Sequence, residues 1–319
     1  MIEAVANPGD TLIDLTVGKA GDLYKWTQAR LSFVFGMDEK ADNIENRLDG
    51  ACARWLNHKS KIENAPDALF IRGDAGLDFA SAKCCNSEKS KEIINAVLGK
   101  GPKNEEFLGK GVYNYYGVGE KGFDIVSNQF SIHYLFKNED TFLTFIKNMA
   151  NVCKVGGHCI GTCFDGKRIF RDLKNKKKDE GIVIHKNNKK IWEVIKKYDN
   201  DTFENDITSL GYKIEVYQES INKTFPEYLV NFDYLTRVME SFGFAKLTLQ
   251  EAKKMGFVNS VNSFQKLFNS MEFEIKRNFI NKNSIGNAMH MTPEEKKISF
   301  YNNYFIYKKI RNVDTESVF

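Results

Sequence analysis

Three carboxylates, Asp14, Asp38 and Asp74, each follow a short apolar run with β-strand character: Leu12-Ile13, Phe33-Val34-Phe35 and Ala68-Leu69-Phe70-Ile71. An acid at the carboxyl end of a buried strand faces the edge where ligands of open α/β sheets bind. Asp38 could there accept both hydroxyls of an adenosine ribose, and it would repel a 2′-phosphate. Asp74 could meet the amino edge of the adenine. Between the first two runs lies Thr16-Val17-Gly18-Lys19-Ala20-Gly21-Asp22, a turn of mostly small residues that lets a ligand approach the backbone. Each acid alone would read as a helix N-cap or a surface group; three at successive strand ends point to a nucleoside.

The set favours S-adenosylmethionine over a dinucleotide, because the turn lacks the G-x-G-x-x-G spacing that a pyrophosphate requires. Composition narrows the class further. The chain has 319 residues, with 42% apolar and 28% charged, an ordinary globular balance. Lys and Arg number 46 against 42 Asp and Glu, so a nucleic-acid partner cannot be argued from net charge. The 6 cysteines show no C-x-x-C spacing, which argues against structural zinc and for reduced thiols inside a cell. No apolar stretch approaches the roughly 20 residues that span a bilayer, and no signal peptide opens the chain.

Elements that would hold these groups alternate. Strands are expected at Thr11–Leu15, Leu31–Met37, Ala68–Ile71, Phe123–Ser127 and His158–Thr162. Helices are expected at Leu23–Trp26, from Asn43 to Trp55, and from Glu139 to Cys153, the last ending in a C-cap at Gly156-Gly157. This alternation predicts an α/β fold with a doubly wound, mostly parallel sheet. A polar, glycine-dotted insertion occupies about 87–121, with one helical piece around Glu92–Leu98. Farther on, Ile214–Tyr217 and Tyr228–Phe232 read as β, Leu235–Phe242 as helix, and Tyr301–Tyr307 as a last strand. The basic runs Lys174–Lys178 and Lys186–Lys190 are either a solvated loop and helix edge or an RNA-facing patch.

The segment Phe123–Phe136, F-D-I-V-S-N-Q-F-S-I-H-Y-L-F, resembles the signature of the mRNA cap guanine-N7 methyltransferase family, F-D-I-x-S-x-Q-F-x-x-H-Y-x-F. The resemblance continues in L-I-D-L-T-V-G-K-A-G-D-L-Y-K-W, in Gly156-Gly157 through Gly161-Thr162, and in Pro226-Glu227-Tyr228-Leu229-Val230. Its order and spacing run from Thr11 to Lys309, and the first motif is most similar in form to capping enzymes of large nucleocytoplasmic DNA viruses. It implies a Rossmann-like class I methyltransferase that moves a methyl group from S-adenosylmethionine to guanine N7 of a 5′ GpppN cap. Asp14, Thr16, Gly18, Asp38, Asp74, Gln129 and Tyr134 would then form the donor pocket. Lys19, Lys25, Phe130, His133, Glu227 and Tyr301 would meet the cap: the lysines its triphosphate, Glu227 the guanine N1–H and amine. His133, Tyr134 and Glu227 would orient the base, with no residue needed as acid, base or nucleophile and no metal.

The chain departs from the family at a few positions. Thr16 and Ala20 replace glycines, and Gly50 stands where the family has an arginine, with Arg47 and Arg54 a turn away on the same expected helix face. The family's upstream asparagine-rich segment would fall just before Met1, so the expectation is a fragment or a domain of a larger capping enzyme. The methyltransferase domain would cover 1–310, with cap-binding elements at about 165–235 and a tail at 311–319. Expected partners are capped RNA and RNA triphosphatase and guanylyltransferase domains, or a stimulatory subunit, with no membrane. The expected setting is intracellular: host cytoplasm or virion for a viral protein, nucleus for a cellular one. Two other readings compete: a catalytically weak methyltransferase-like subunit, and a small-molecule methyltransferase, which the Lys19, Lys25 and Glu227 set disfavours. If Asp38 holds the donor's ribose, Asp38→Ala weakens S-adenosylhomocysteine binding by about 1.5–3 kcal/mol, the scale of lost charge-assisted hydrogen bonds. Calorimetry checks this, and unchanged affinity would remove Asp38 from the site.

Overall fold

The computed structural model describes residues 1–277 and 285–318. The parallel part of the main sheet consists of β1 (Thr11–Asp14), β2 (Phe33–Asp38), β3 (Asp67–Arg72), β4 (Phe123–Gln129) and β5 (Cys153–Phe164). They lie in the order β3-β2-β1-β4-β5, so the winding reverses between β1 and β4. Such a reversal leaves a crevice at the carboxyl ends of the two central strands. The doubly wound, mostly parallel sheet expected from the sequence is the architecture found.

Both faces of the sheet are covered, which is why β2 is apolar almost without interruption. On one face, helices Glu139–Val152 and Phe232–Ser241 bring Phe142, Phe145, Met149, Leu235 and Met239 against Phe35, Val126 and Phe305. The other face carries Leu23, Trp26 and Ala51, packed on Val34, Ile125 and Ile160. The expected insertion contains helix Glu88–Val97, whose Ile94 and Val97 join the first of these cores.

A second, antiparallel sheet is formed by β6 (Gly181–Lys186), β7 (Lys189–Lys196), β8 (Lys213–Gln218) and β9 (Lys223–Tyr228), in that order. Its core is Trp192, Val194, Ile214, Val216 and Leu229, closed by Phe164 and Tyr301. The main sheet is completed by β10 (Phe244–Lys246), β11 (Val261–Ser263) and β12 (Asn302–Lys309). β12 runs antiparallel to β5, and β10 and β11 both pair with β12.

Four local expectations are corrected. The helix expected from Asn43 to Trp55 is two helices, Ala41–Glu45 and Ala51–Lys59, joined by a turn at Asn46–Gly50. A Cβ at Gly50 would sit 2.6 Å from the Asn46 carbonyl oxygen, so the chain folds back onto itself where only glycine fits. Arg47 and Arg54 therefore do not share a helix face. The helix from Glu139 stops at Val152, and Gly156, at φ +91°, lies inside β5 beside a register shift against β4 instead of capping the helix. Lys186–Lys190 is the hairpin between β6 and β7, not a helix edge; its Asn187 and Asn188 adopt the positive φ of a two-residue turn. Tyr228 ends β9, whereas Phe232 begins a helix that Asn231 caps by accepting from Asp233 and Tyr234 N–H.

Gly161 marks the tightest junction of the main sheet. A Cβ there would lie 2.3 Å from both the Asn128 carbonyl oxygen and the Phe305 ring. Gly161→Ala is therefore expected to cost about 1–3 kcal/mol through overpacking. Urea denaturation should show a lower midpoint at unchanged slope, and an unmoved midpoint would refute the close approach.

Candidate active site

The crevice between β1 and β4 is built from polar groups that their own loops position. Asp14, only 4% exposed, accepts a hydrogen bond from the Thr16 N–H at 3.2 Å, and burial raises its pKa to about 7. Gly18, at φ +54°, turns its N–H onto Asp38 Oδ2 at 3.0 Å. The other oxygen of Asp38 accepts from Lys40 N–H and from the Asn43 amide, both at 2.9 Å. A carboxylate has about four acceptor positions, so Asp38 can still receive a hydroxyl. Asp74 Oδ1 accepts from Gly76 N–H at 2.8 Å; its Oδ2 accepts no hydrogen bond among the described residues. The structure thus places three acids, with acceptor capacity in reserve, at the ends of β1, β2 and just beyond β3.

Thr16 does something that its residue type did not announce. Its Oγ1 lies 2.5 Å from Ser131 Oγ and receives the Asn128 amide at 3.2 Å. The turn after β1 is thereby tied to the loop after β4. Ser131 and Asn128 both lie within the Phe123–Phe136 motif, yet sequence reasoning gave them no part. Gln129 is turned inward as well, donating to Ser127 Oγ at 3.3 Å and accepting from Thr162 Oγ1 at 3.2 Å.

Beyond β4, Phe130 adopts φ +52°, its N–H bonded to the Thr162 carbonyl at 2.8 Å. Its ring is 55% exposed and meets Phe264 edge-on at 6.2 Å. The short helix Ile132–Leu135 follows and carries His133 and Tyr134. His133 Nε2 lies 3.7 Å from Glu227 Oε2, on β9 of the second sheet. Both side chains are buried, and among the described residues neither His133 nitrogen nor Glu227 Oε2 has a hydrogen-bond partner. Burial lowers the His133 pKa to about 3 and raises that of Glu227 to about 8. At neutral pH both groups are uncharged, so their approach is a contact and not an ion pair. The Tyr134 ring packs on His133 at 4.2 Å. Burial pushes its hydroxyl up to about 12, with further contributions from the charges of Glu227 and Asp38. Tyr134 thus feels the charges of both Asp38 and Glu227.

The remaining expected residues are placed less simply. Lys19 is held by Asp42 and Asp49, each at 2.8 Å, and Lys25 by Asp22 at 2.5 Å. Arg54 donates to the Lys19 carbonyl at 2.7 Å, which leaves Arg47 exposed in the turn between helices. Tyr301 does not join Phe130, His133, Tyr134 and Glu227. It is buried in the second core, stacked on Trp192 at 5.2 Å, with its hydroxyl on Asp172 at 2.9 Å. Its neighbour Asn302 turns its amide to the Ile298 and Ser299 carbonyls. The second basic run is ion-paired, Lys186 with Glu295, Lys189 with Glu219 and Lys190 with Glu193, whereas in the first only Lys178 is, with Asp199, and Lys174, Lys176 and Lys177 are exposed without an ion pair among the described residues. Pairing thus cancels the charge of the hairpin Lys186–Lys190 and leaves that of Lys174–Lys177 facing solvent. A cleft of about 570 Å³ opens at the β11–β12 edge, lined by Lys167, Asp233, Lys246 and Asn303.

The profile of the mRNA (guanine-N(7))-methyltransferase domain matches residues 2–310. The chain belongs to this family. Its relatives include the probable mRNA-capping enzyme of Acanthamoeba polyphaga mimivirus, 30% identical over 272 residues, covering 84% of this chain and 21% of that protein. The mRNA cap guanine-N(7) methyltransferase of Saccharomyces cerevisiae is 25% identical over 324 residues, covering 100% of this chain and 64% of that one. That of Aspergillus oryzae is 26% identical, covering 93% and 61%. The chain thus spans between about a fifth and two thirds of the length of these relatives. Among solved structures, the CcbJ methyltransferase of Streptomyces caelestis aligns over 97% of this chain and 87% of its own at 9% identity, with a TM-score of 0.48. No helix among the described residues is long and apolar enough to cross a membrane.

Asp14 makes the site's burial measurable. Its folded pKa of about 7 lies above the ordinary 3.8, so the folded chain holds this proton more tightly than the unfolded one. Folding is therefore progressively disfavoured as pH rises from about 4 to about 7. Asp14→Asn removes that penalty. The variant's melting temperature should gain on the parent's between pH 4 and pH 8, and a constant difference would show that Asp14 stays ionised throughout.

Proposed function

We propose that this chain transfers a methyl group from S-adenosylmethionine to N7 of the guanine in a 5′ GpppN cap. The observation that carries the reading is the buried Glu227, its Oε2 without a hydrogen bond among the described residues, beside His133, on whose ring Tyr134 packs. A buried polar group without a partner is costly, and guanine offers what Glu227 lacks: two adjacent donors, N1–H and the exocyclic amine. Adenine has no such pair, so the same carboxylate would exclude it. Phe130 would wall the base, and the neutral His133 would lie against the cap nucleotide.

The residues at the strand ends fit the donor. Asp38 retains acceptor capacity for ribose hydroxyls, and the unused Asp74 oxygen suits an adenine amino group. Asp14, Thr16, Gly18, Gln129 and Tyr134 would complete the pocket. When bound, S-adenosylmethionine supplies an electrophilic methyl carbon on a sulfonium sulfur. Guanine N7 carries a lone pair and no proton, so this chain has no proton to remove; its task is to align the two partners. Positive charge develops on guanine as it is methylated, and an ionised Glu227 against the ring favours that change. Lys19 would exchange the exposed carboxylates of Asp42 and Asp49 for the cap triphosphate, a small loss because surface ion pairs contribute little, and Lys25 would give up the half-buried Asp22.

The covered fraction of the mimivirus protein suggests companion capping domains, such as an RNA triphosphatase and a guanylyltransferase, or a stimulatory subunit as partners. One observation favours a second reading, a catalytically weak methyltransferase-like subunit: Thr16 spans from the β1 turn to the β4 loop where the family has glycine. Transfer of labelled methyl to GpppA-capped RNA, with ApppA-capped RNA as control, separates the two. Incorporation confined to the GpppA cap supports the enzyme, and none at all supports the subunit.

Guanine binding should also draw a proton from Glu227, since donors to a carboxylate favour its charged form. The free carboxyl titrates at about 8. Below that pH, cap affinity is expected to strengthen by up to tenfold per pH unit as the ionised form becomes populated. Glu227→Gln should abolish this dependence and reduce turnover while leaving S-adenosylhomocysteine affinity intact. Parallel losses of donor affinity and turnover would make Glu227 a structural residue.

A further inference from the structure

The segment that follows Asp74 contains adjacent cysteines, Cys84 and Cys85, that the reaction does not use. Their sulfurs are 3.6 Å apart, Cys84 fully buried and Cys85 half-buried. The same dipeptide is strapped to the loop that presents Asp74. The Cys84 carbonyl accepts the Asp74 N–H at 2.8 Å, Cys85 forms an antiparallel bridge with Gly73, and Asn86 N–H reaches the Arg72 carbonyl. The contact is tight: a Cβ on Gly73 would come within 2.9 Å of the Cys84 carbonyl oxygen.

We propose that Cys84 and Cys85 are a peroxide-reactive dithiol whose closure to a vicinal disulfide displaces Asp74 and weakens nucleoside binding at the strand ends. Coupling to the donor rests on the placement of adenine at Asp74; the modification itself does not.

Reactivity follows from the surroundings. The neighbouring Cys84 thiol holds Cys85 below the usual thiol range, and the charge of Lys91 adds to the effect. The other cysteines, Cys52, Cys84, Cys153, Cys159 and Cys163, are all pushed up, chiefly by burial except at Cys84, where the contact with Cys85 comes first. Thiolates are the nucleophiles, so an oxidant meets Cys85 first. Its sulfur attacks one peroxide oxygen, the O–O bond breaks, and hydroxide leaves to take up a proton as water. The sulfenic acid formed on Cys85 is then attacked by the Cys84 sulfur. The S–S bond forms, the S–O bond breaks, and a second water carries off the Cys84 proton. In sum, two thiols and one peroxide give a disulfide and two waters.

Closure cannot leave the backbone where it is. The sulfurs must approach from 3.6 Å to about 2.05 Å, and disulfide-linked Cα atoms usually lie about 4.4–6.8 Å apart. Neighbouring residues on a trans peptide are only about 3.8 Å apart. The Cys84–Cys85 peptide must twist, and its carbonyl is the acceptor that holds Asp74. The same strain raises the reduction potential of the bond, so ordinary thiols reopen it.

The test treats the full chain with equimolar hydrogen peroxide and follows it by peptide mass spectrometry and by calorimetry with S-adenosylhomocysteine. The expected result is loss of two hydrogen atoms from the peptide containing Cys84 and Cys85. Affinity should weaken by roughly tenfold, on the scale of one strong hydrogen bond, and dithiothreitol should restore both. Cys85→Ser should keep its affinity under peroxide. Absence of the disulfide, or oxidation of another cysteine in its place, overturns the proposal. A disulfide with unchanged affinity overturns the coupling. Asp74→Ala in the reduced chain tells where the fault lies: weakened binding there means that only the coupling is wrong, whereas unchanged binding means that adenine does not sit at Asp74. A reduced chain that binds no S-adenosylhomocysteine refutes the donor reading and, with it, the coupling; the mass change still decides the disulfide.

Discussion

Strands β1 and β4 lie side by side, but their following loops depart in opposite directions, and everything functional in this chain is a response to that divergence. The central strands cannot pair beyond Asp14 and Ser127 without help; the ladder is prolonged only by Leu15 N–H on the Ser127 carbonyl. Past that point, side chains take over from backbone. Thr16 reaches Ser131 and Asn128, while Gly18 reaches Asp38. Backbone groups near the middle of a fold must be satisfied somewhere. Here the groups that satisfy them are also those that would face a nucleoside.

Desolvation then sets the chemistry. Asp14, His133 and Glu227 are all shifted toward their neutral forms, and in each case burial is the largest cause. A ligand with the right donors can reverse such a shift, which is how the proposed site would discriminate without exchanging protons with substrate. The lysines contrast with them. Lys19 and Lys25 lie nearer the surface and are each held by carboxylates, Asp42 and Asp49 for the first and Asp22 for the second.

The second sheet extends the site beyond what one α/β layer can offer. Glu227 lies on β9, four strands away in chain order from the last parallel strand, and it reaches His133 only because the antiparallel sheet packs against the short helix Ile132–Leu135. In the proposed site a base would thus be gripped between two sheets, one supplying the strand-end acids and the other Glu227. Phe164 and Tyr301, the residues at which β5 leaves and β12 enters, pack into the core of the second sheet and join the two layers.

Local patterns in the chain determined the parallel strands, the three acids at their ends and the long helices, because each depends on a few neighbouring residues and on burial of an apolar face. The motif from Phe123 to Phe136 likewise carried the family, since its residues share one strand and one loop. Tertiary structure decided the rest. It broke the helix at Gly50, where a Cβ would strike Asn46, and so separated Arg47 from Arg54. It drew Tyr301 into a core by stacking it on Trp192, more than a hundred residues distant. It gave Thr16 partners in the β4 loop and, among the described residues, left Glu227 Oε2 and both His133 nitrogens without a hydrogen bond. Burial and pairing are properties of contacts between distant segments, and no local pattern of residues specifies them.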